Sequence, residues 1–119
     1  MITVSPEEHD RAVAFISHLP QMLSTGLASC LAEHVTHTDL GLAGPGLMDM
    51  SRLALSSYDI WRDILDTNTE NVEHALRVYI DKLTELRDNL QTQRLGDEFA
   101  TAAAIAKRIR QQNHNKGQP

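Results

Sequence analysis

Apolar residues recur every three or four positions along most of the chain, the spacing of helices that bury one face. The first such run follows Ser5 and Pro6, which are typical of a helix start, and reaches about His34. Its stripe comprises Ala12, Ile16, Leu19, Leu23, Leu27 and Leu31. Pro20 lies within the run and lacks a backbone N–H, so we expect it to kink this helix or divide it in two.

A second long helix follows Thr67-Asn68-Thr69-Glu70, a segment typical of a capping box. The apolar stripe of this helix has heptad spacing and comprises Val72, Leu76, Tyr79, Leu83, Leu86 and Leu90. Gly96 is predicted to end it, and Asp97 and Glu98 to open a last helix.

Shorter helices are predicted between the two long ones, over residues 47–55 and after Ser56-Ser57, with residues 36–46 as a loop. No alternating strand pattern occurs. The chain is therefore predicted to be all-α: a helical bundle with two long helices, the first kinked at Pro20, and shorter helices between them. Residues 1–110 form one domain in this interpretation, and residues 111–119 form a polar tail.

Composition narrows the choice of partners. The chain has 119 residues and a net charge of −5, with acidic and basic residues interspersed, which argues against nucleic acid. No apolar run is long enough to span a membrane, and the N-terminus does not resemble a secretory signal. Cys30 is the only cysteine, which indicates a reducing, cytoplasmic setting. Its apolar neighbours predict that Cys30 is buried.

A chain this short has difficulty covering every apolar stripe on helices this long. The small residues of the last helix make a homodimer plausible, and we favour packing between subunits. The alternative is that the two long helices pack against each other within one subunit.

The segment Gly44-Pro45-Gly46 delivers the chain into a helix that carries Asp49 and Arg52 three positions apart. An arginine among apolar neighbours needs an anionic partner. Asp49 could supply it from the same face of the helix, or a bound carboxylate could supply it from outside. Trp61 is a candidate ligand platform, although its pattern favours a core position.

His18 lies off the apolar stripe next to Pro20, with Gln21 on the same face. This pair could meet a ligand at the kink, or His18 could be a surface residue or bond a loop carbonyl. His34 and His37 have no further ligands nearby, so no metal site is predicted. No Gly-x-Gly-x-x-Gly motif follows a strand, so no dinucleotide fold is predicted in this chain.

Four segments occur in the order and spacing found in the C-terminal helical domain of prephenate dehydrogenases, and the chain resembles that family from about Ser5 to Leu90. They are Glu8-His9-Asp10, Ser17-His18-Leu19-Pro20, Gly44 to Ala54, and Trp61-Arg62-Asp63-Ile64. The resemblance implies a dimerisation and substrate-binding domain of an enzyme that oxidatively decarboxylates prephenate, or the related arogenate, in tyrosine biosynthesis.

The resemblance also implies roles for individual residues. Arg52 would bind a substrate carboxylate, Gly44 and Gly46 would let the backbone approach the ligand, and Trp61 would border or brace the site. His18 and Gln21 would contact substrate from the first helix. Family members usually have a histidine where Gln21 stands, and often a glycine where Pro45 stands, so an altered substrate is one implication.

The family's catalytic histidine and its Rossmann domain, which binds NAD or NADP, lie upstream of anything in this chain. We therefore expect no catalytic residue and no bound cofactor here, and no hydride transfer by the chain alone. The other hypothesis is a stand-alone helical dimer that acts as a binding or regulatory module without catalysis.

Overall fold

The computed structural model describes residues 3–116, with side chains described as far as residue 113. This part of the chain is helical and contains no strand, which confirms the all-α prediction. The α-helices in chain order are α1 (Pro6–Val13), α2 (Leu19–His34), α3 (His37–Leu40), α4 (Pro45–Ser51), α5 (Tyr58–Thr67), α6 (Thr69–Asp88) and α7 (Arg94–Lys116). A π-helical segment, Ala14–His18, joins α1 to α2, and a 3₁₀ turn, Arg52–Leu55, follows α4.

The first long helix is interrupted one turn earlier than Pro20. The N–H of Leu19 donates to the carbonyl of Ala14, five residues back, at the end of the π-helical segment. Pro20 occupies the second position of α2, where its missing N–H costs little. The predicted division of the helix is thus present, but it takes the form of a π-turn that leads into the proline.

The extra residue in the π-turn changes which side chains face inward. A helix turns about 100° per residue, so one added residue rotates the faces on either side relative to each other. Ile16, predicted to be on the buried stripe, is 76% exposed, whereas Ala14 and His18 are buried. The predicted stripe is wrong at Ile16 for this reason.

The predicted loop over residues 36–46 contains a short helix. The Thr36 hydroxyl accepts from the Asp39 N–H at 3.0 Å, and the Asp39 carboxylate accepts from the Thr36 N–H at 2.9 Å. This reciprocal capping box begins α3. The predicted helix over residues 47–55 is divided into α4 and the 3₁₀ turn.

A single residue separates α5 from α6. The Ser57 hydroxyl caps α5 by accepting from the Asp59 N–H, as its sequence position predicts. The predicted capping box at Thr67 is absent from the junction, because the Thr67 hydroxyl donates to the Ile64 carbonyl within α5. Asn68 stands alone between the two helices.

The second long helix ends eight residues before Gly96, the predicted stop. Asn89 folds back to donate from its side chain to the Glu85 carbonyl at 2.9 Å, and Thr92 donates to the Asn89 side chain at the same distance. These side-chain bonds satisfy the end of α6. Gly96 lies inside α7, which extends past residue 110 to Lys116.

The contacts group the residues into two units, 1–78 and 79–119. Among the side chains described, the buried ones belong to the first unit, and half of them are polar. The apolar members are Ala14, Leu19, Val72 and Ala75, and the polar members are His18, Gln21, Ser24 and Asn68. His18, Gln21 and Asn68 all have hydrogen-bond partners, so polar geometry specifies this core alongside apolar packing.

In the second unit, the Lys82 ammonium lies 2.9 Å from Glu85 on its own helix and 3.0 Å from Glu98 on α7. Hydrogen bonds to Glu85 and Glu98 raise the pKa of Lys82. The apolar side chains of α7 are largely uncovered: Phe99 is 70% exposed and Ile109 is 50% exposed.

Cys30 is exposed, so the prediction that it is buried is wrong. Positions on α2 differ by about 100° each, so Cys30 lies about 40° from exposed Gly26, one turn earlier, and on its side of the helix. Among the residues described, no helix has the length and apolar character needed to cross a bilayer.

Candidate functional site

The π-turn places His18 in the interior of the first unit, where it is 8% exposed. Its Nδ1 lies 3.3 Å from the side-chain nitrogen of Asn68. Its ring meets the indole of Trp61 edge to face, with the centroids 5.7 Å apart and the planes at 86°. His18 is therefore neither a surface residue nor bonded to a loop carbonyl, the two alternatives that its sequence position left open.

Burial lowers the pKa of His18 below its usual 6.5, and the Asp10 carboxylate partly opposes this effect. An imidazolium is costly to bury without a close anionic partner. The neutral form of His18 is therefore favoured at neutral pH.

Asn68 connects three elements through one side chain. Its Nδ2 donates to the Asp10 carbonyl on α1 at 2.9 Å and faces His18, while its Oδ1 accepts from the Asn71 side chain at 2.8 Å. The sequence pattern did not single out Asn68, because an asparagine between two helices is most often a capping residue. Only the fold brings it opposite α1, 58 positions back in the chain.

Gln21 lies one turn beyond His18 on α2 and is 5% exposed. Its side-chain nitrogen donates to the Leu53 carbonyl at 2.8 Å and to the Thr25 hydroxyl at 3.1 Å. Leu53 belongs to the 3₁₀ turn, so the Gln21 amide ties α2 to the turn that carries Arg52. These bonds occupy the amide nitrogen that the sequence suggested for a substrate.

A cleft of about 190 Å³ opens between α2, the 3₁₀ turn and α5. Half-buried Trp61 forms part of its wall, and Gln21 and Ala54 lie on it as well. The other lining residues are Met22, Thr25, Ser56, Ser57, Tyr58 and Leu65. An apolar wall with a few hydroxyl groups suits a small, partly apolar ligand.

The Arg52 side chain is exposed and does not line this cleft, although Ala54, two residues further on, does. Among the residues described, no carboxylate lies within 4 Å of its guanidinium. Asp49, the internal partner that the sequence offered, does not pair with it. The guanidinium is thus free to bind an anion from outside the described chain.

Gly44 and Gly46 lie at the start of α4 and do not line the cleft. A Cβ on either glycine would meet nothing within 4 Å, and neither has a positive φ. The packing of this chain therefore does not require glycine at either position. The predicted close approach of a ligand there stays a prediction.

Of the six predicted site residues, Gln21 and Trp61 line the cleft, and His18 contacts the Trp61 ring without lining the cleft itself. Arg52 adjoins this group through the turn that Gln21 holds, while Gly44 and Gly46 stand apart. No strand occurs in residues 3–116, so the strand–turn–helix cradle that binds a dinucleotide cannot be formed by them.

Comparison with known proteins identifies the family. Residues 5–104 match the family model described as "Prephenate dehydrogenase, dimerization domain". The chain is 32% identical over 93 residues to a prephenate dehydrogenase of Bacillus subtilis (strain 168), an alignment that covers 72% of this chain and 24% of that protein.

Two solved structures resemble the fold. Synechocystis arogenate dehydrogenase matches with a TM-score of 0.78 and 27% identity, over 89% of this chain and 41% of that one. Prephenate dehydrogenase from A. aeolicus, solved with hydroxyphenyl propionate and NAD⁺, matches with a TM-score of 0.69 and 30% identity, over 92% and 38%. The chain thus spans well under half the length of these relatives. It belongs to the prephenate dehydrogenase family and corresponds to that family's helical dimerization domain.

Proposed function

We propose that this domain closes the substrate site of a prephenate or arogenate dehydrogenase and holds two copies of that enzyme together. A separate Rossmann domain would bind NAD or NADP and accept the hydride as the substrate loses carbon dioxide. The domain's own task would be to bind and orient the substrate and to keep water from it. The family match and the A. aeolicus complex with an aromatic acid support this proposal.

Arg52 is the residue on which the proposal depends. Its guanidinium has no anionic partner in the described chain, and its backbone is held by the bond from Gln21 to the adjacent Leu53. A guanidinium forms paired, charge-assisted hydrogen bonds with a carboxylate. A fixed turn also lowers the entropy lost when substrate binds. Arg52 would therefore bind a substrate carboxylate beside the cleft that Trp61 borders.

Self-association is part of the same proposal. Large apolar side chains on α7 are exposed in the single chain, including Phe99, Ile105 and Ile109. A surface of this kind on a helix is typical of an interface between protein chains. A second copy of the domain would cover it, as the name of the family's domain suggests.

The test is a titration of the isotopically labelled chain with 3-(4-hydroxyphenyl)propionate, followed by NMR shifts of backbone and arginine N–H groups. The matching amide, which lacks the carboxylate charge, serves as the ligand control. We expect the acid to shift the 3₁₀ turn and the Arg52 side chain, and to bind about tenfold or more tightly than the amide, because a charge-assisted contact contributes roughly 1.5–3 kcal/mol.

Arg52→Ala should abolish this preference for the acid, and Arg52→Lys should restore part of it. Arg77→Ala is the matched control, because Arg77 pairs with Glu73 on the surface at 3.3 Å. Equal binding of acid and amide by the unaltered chain would refute the role of Arg52. A dimer that binds neither ligand would support the non-catalytic module instead.

Activity provides a second measurement. The chain mixed with prephenate and NAD⁺ should produce no NADH absorbance, because the residues described contain no fold for the cofactor. NADH formation by the purified chain would contradict the assignment of hydride transfer to another domain.

A further inference from the structure

Asn68, His18 and Trp61 form a connected series from the junction of α5 and α6 to the wall of the cleft. Asn68 faces His18 Nδ1, and the His18 ring meets the Trp61 indole. His18 is more than nine-tenths buried, and its Nε2 has no hydrogen-bond partner among the residues described. A ring nitrogen that has no protein partner and is not fully enclosed is available to a ligand.

The chemistry of the Asn68 contacts determines which imidazole nitrogen carries the proton. The Asp10 carbonyl can only accept a hydrogen bond, so the atom of Asn68 that lies 2.9 Å from it must be the amide nitrogen. That nitrogen has a second N–H, and His18 Nδ1 lies 3.3 Å away. Nδ1 must therefore accept, because a proton on it would face the amide hydrogens.

We propose that Asn68 is a positioning residue for the substrate site: it holds His18 as the neutral tautomer with its proton on Nε2. His18 then offers an oxygen of the ligand one N–H donor and no positive charge. The nature of that ligand rests on the proposed function above, whereas the tautomer itself does not. Arg52 would supply the charge for the carboxylate, and His18 a neutral contact to a hydroxyl or carboxylate oxygen.

The tautomer can be read directly from the ¹⁵N shifts and long-range couplings of the imidazole nitrogens. We expect His18 to be a single Nε2–H tautomer at pH 7.5. His34 provides an internal comparison, because its proton is expected on the other nitrogen. Its Nδ1 lies 2.9 Å from the Cys30 carbonyl and must donate to it when neutral. Averaging of His18 between tautomers, or a proton on Nδ1, would overturn the proposal without any variant having to fold.

Asn68→Asp replaces the donor with an acceptor of the same shape and should move the His18 proton to Nδ1. As the pH rises, His18 Nε2 then loses its proton, and its lone pair repels a ligand oxygen. Affinity for 3-(4-hydroxyphenyl)propionate should consequently fall about tenfold between pH 6 and 8 in this variant, but stay within twofold in the unaltered chain.

Asn89→Asp, which introduces the same charge in the turn just after α6, far from His18 in sequence, is the matched control and should show no such pH dependence. The groups that act on His18 from the neighbouring helices stay the same in both variants: the Asp10 carboxylate on α1 and the neutral Trp61 indole on α5. A flat pH profile for Asn68→Asp would refute the positioning role. If the unaltered chain shows no Arg52-dependent preference for acid over amide, the proposed function is refuted. The measured tautomer of His18 would still stand.

Discussion

The side-chain amide of Gln21 donates to the backbone carbonyl of Leu53 at 2.8 Å, across 32 positions of the chain. This bond joins α2 to the 3₁₀ turn next to Arg52. The resemblance to prephenate dehydrogenases implies a substrate-facing histidine at the position of Gln21. Here a glutamine stabilises the turn that carries the candidate carboxylate-binding residue, so its first task is structural.

Gln21→Glu should destabilise the domain by about 1–3 kcal/mol at pH 7, because a carboxylate would face the Leu53 carbonyl in a buried setting. Urea unfolding measures the change. Protonation would let the glutamate donate again, so the loss should shrink as the pH falls towards 5. Gln91→Glu, in the exposed turn after α6, is the control and should change stability by less than about 0.5 kcal/mol. Equal effects of the two substitutions would show that the Gln21 bond contributes nothing.

The lowered pKa of His18 makes stability depend on pH. The unfolded chain protonates His18 near pH 6.5, while the folded chain resists protonation until a lower pH. Between these values the unfolded state binds more protons, so stability is complete above about pH 6.5 and declines as the pH falls. The slope should approach at most about 1.4 kcal/mol per pH unit from this residue.

Urea unfolding between pH 5 and 7.5 tests this expectation. His18→Gln keeps an acceptor for Asn68 but cannot titrate, so its stability should vary less with pH than that of the unaltered chain. His34→Asn, at an exposed position on α2, should leave the slope unchanged. Parallel slopes for the His18 variant and the unaltered chain would contradict the assignment.

Local signals predicted much of this fold from the sequence. The cap at Ser57 and the surface pair Glu73–Arg77 depend on residues within four positions of each other, and both are present. Val72 is buried on its predicted stripe. The short helix α3 was missed although its capping box at Thr36 and Asp39 is equally local, because its four residues are too few to show a helical period.

The candidate site depended on features that the sequence pattern does not contain. The π-turn reversed the expected positions of Ile16 and His18, since a period of 3.6 residues was assumed throughout. Asn68 acquires its role only when the fold brings α1 beside it. The exposed, unpaired state of Arg52 likewise could not be read from its apolar neighbours, because a spacing of three positions permits a pair with Asp49 but does not enforce one.

Ser24 is 2% exposed, and its hydroxyl has no hydrogen-bond partner among the residues described. A buried hydroxyl without a partner costs about 1–3 kcal/mol. Ser24→Ala should therefore raise the free energy of unfolding. Ser29→Ala, at an exposed position on the same helix, measures the gain of roughly 0.5 kcal/mol that comes from helix propensity alone. We expect Ser24→Ala to exceed this control by about 1 kcal/mol, and a net loss of stability would mean that the hydroxyl has a partner in solution.

The proposed dimer predicts that charge on the exposed face of α7 separates the two copies. Ile105 and Ile109 lie four positions apart on one face and are 47% and 50% exposed in the single chain. In a packed interface, glutamates at both positions would lose their water and lie near the glutamates of the other copy. Both effects disfavour the dimer. Sedimentation equilibrium should give the mass of two chains for the unaltered protein and of one chain for the double variant, at about 10 µM, a concentration well above the dissociation constants common for stable dimers.

Gln111→Glu adds a charge about 200° around α7 from Ile109 and should leave the dimer intact. Circular dichroism establishes whether the double variant keeps its helices, which separates dissociation from unfolding. A double variant that stays dimeric and helical would place the interface on another face of the domain. If the unaltered chain is a monomer at this concentration, the proposed dimer is refuted.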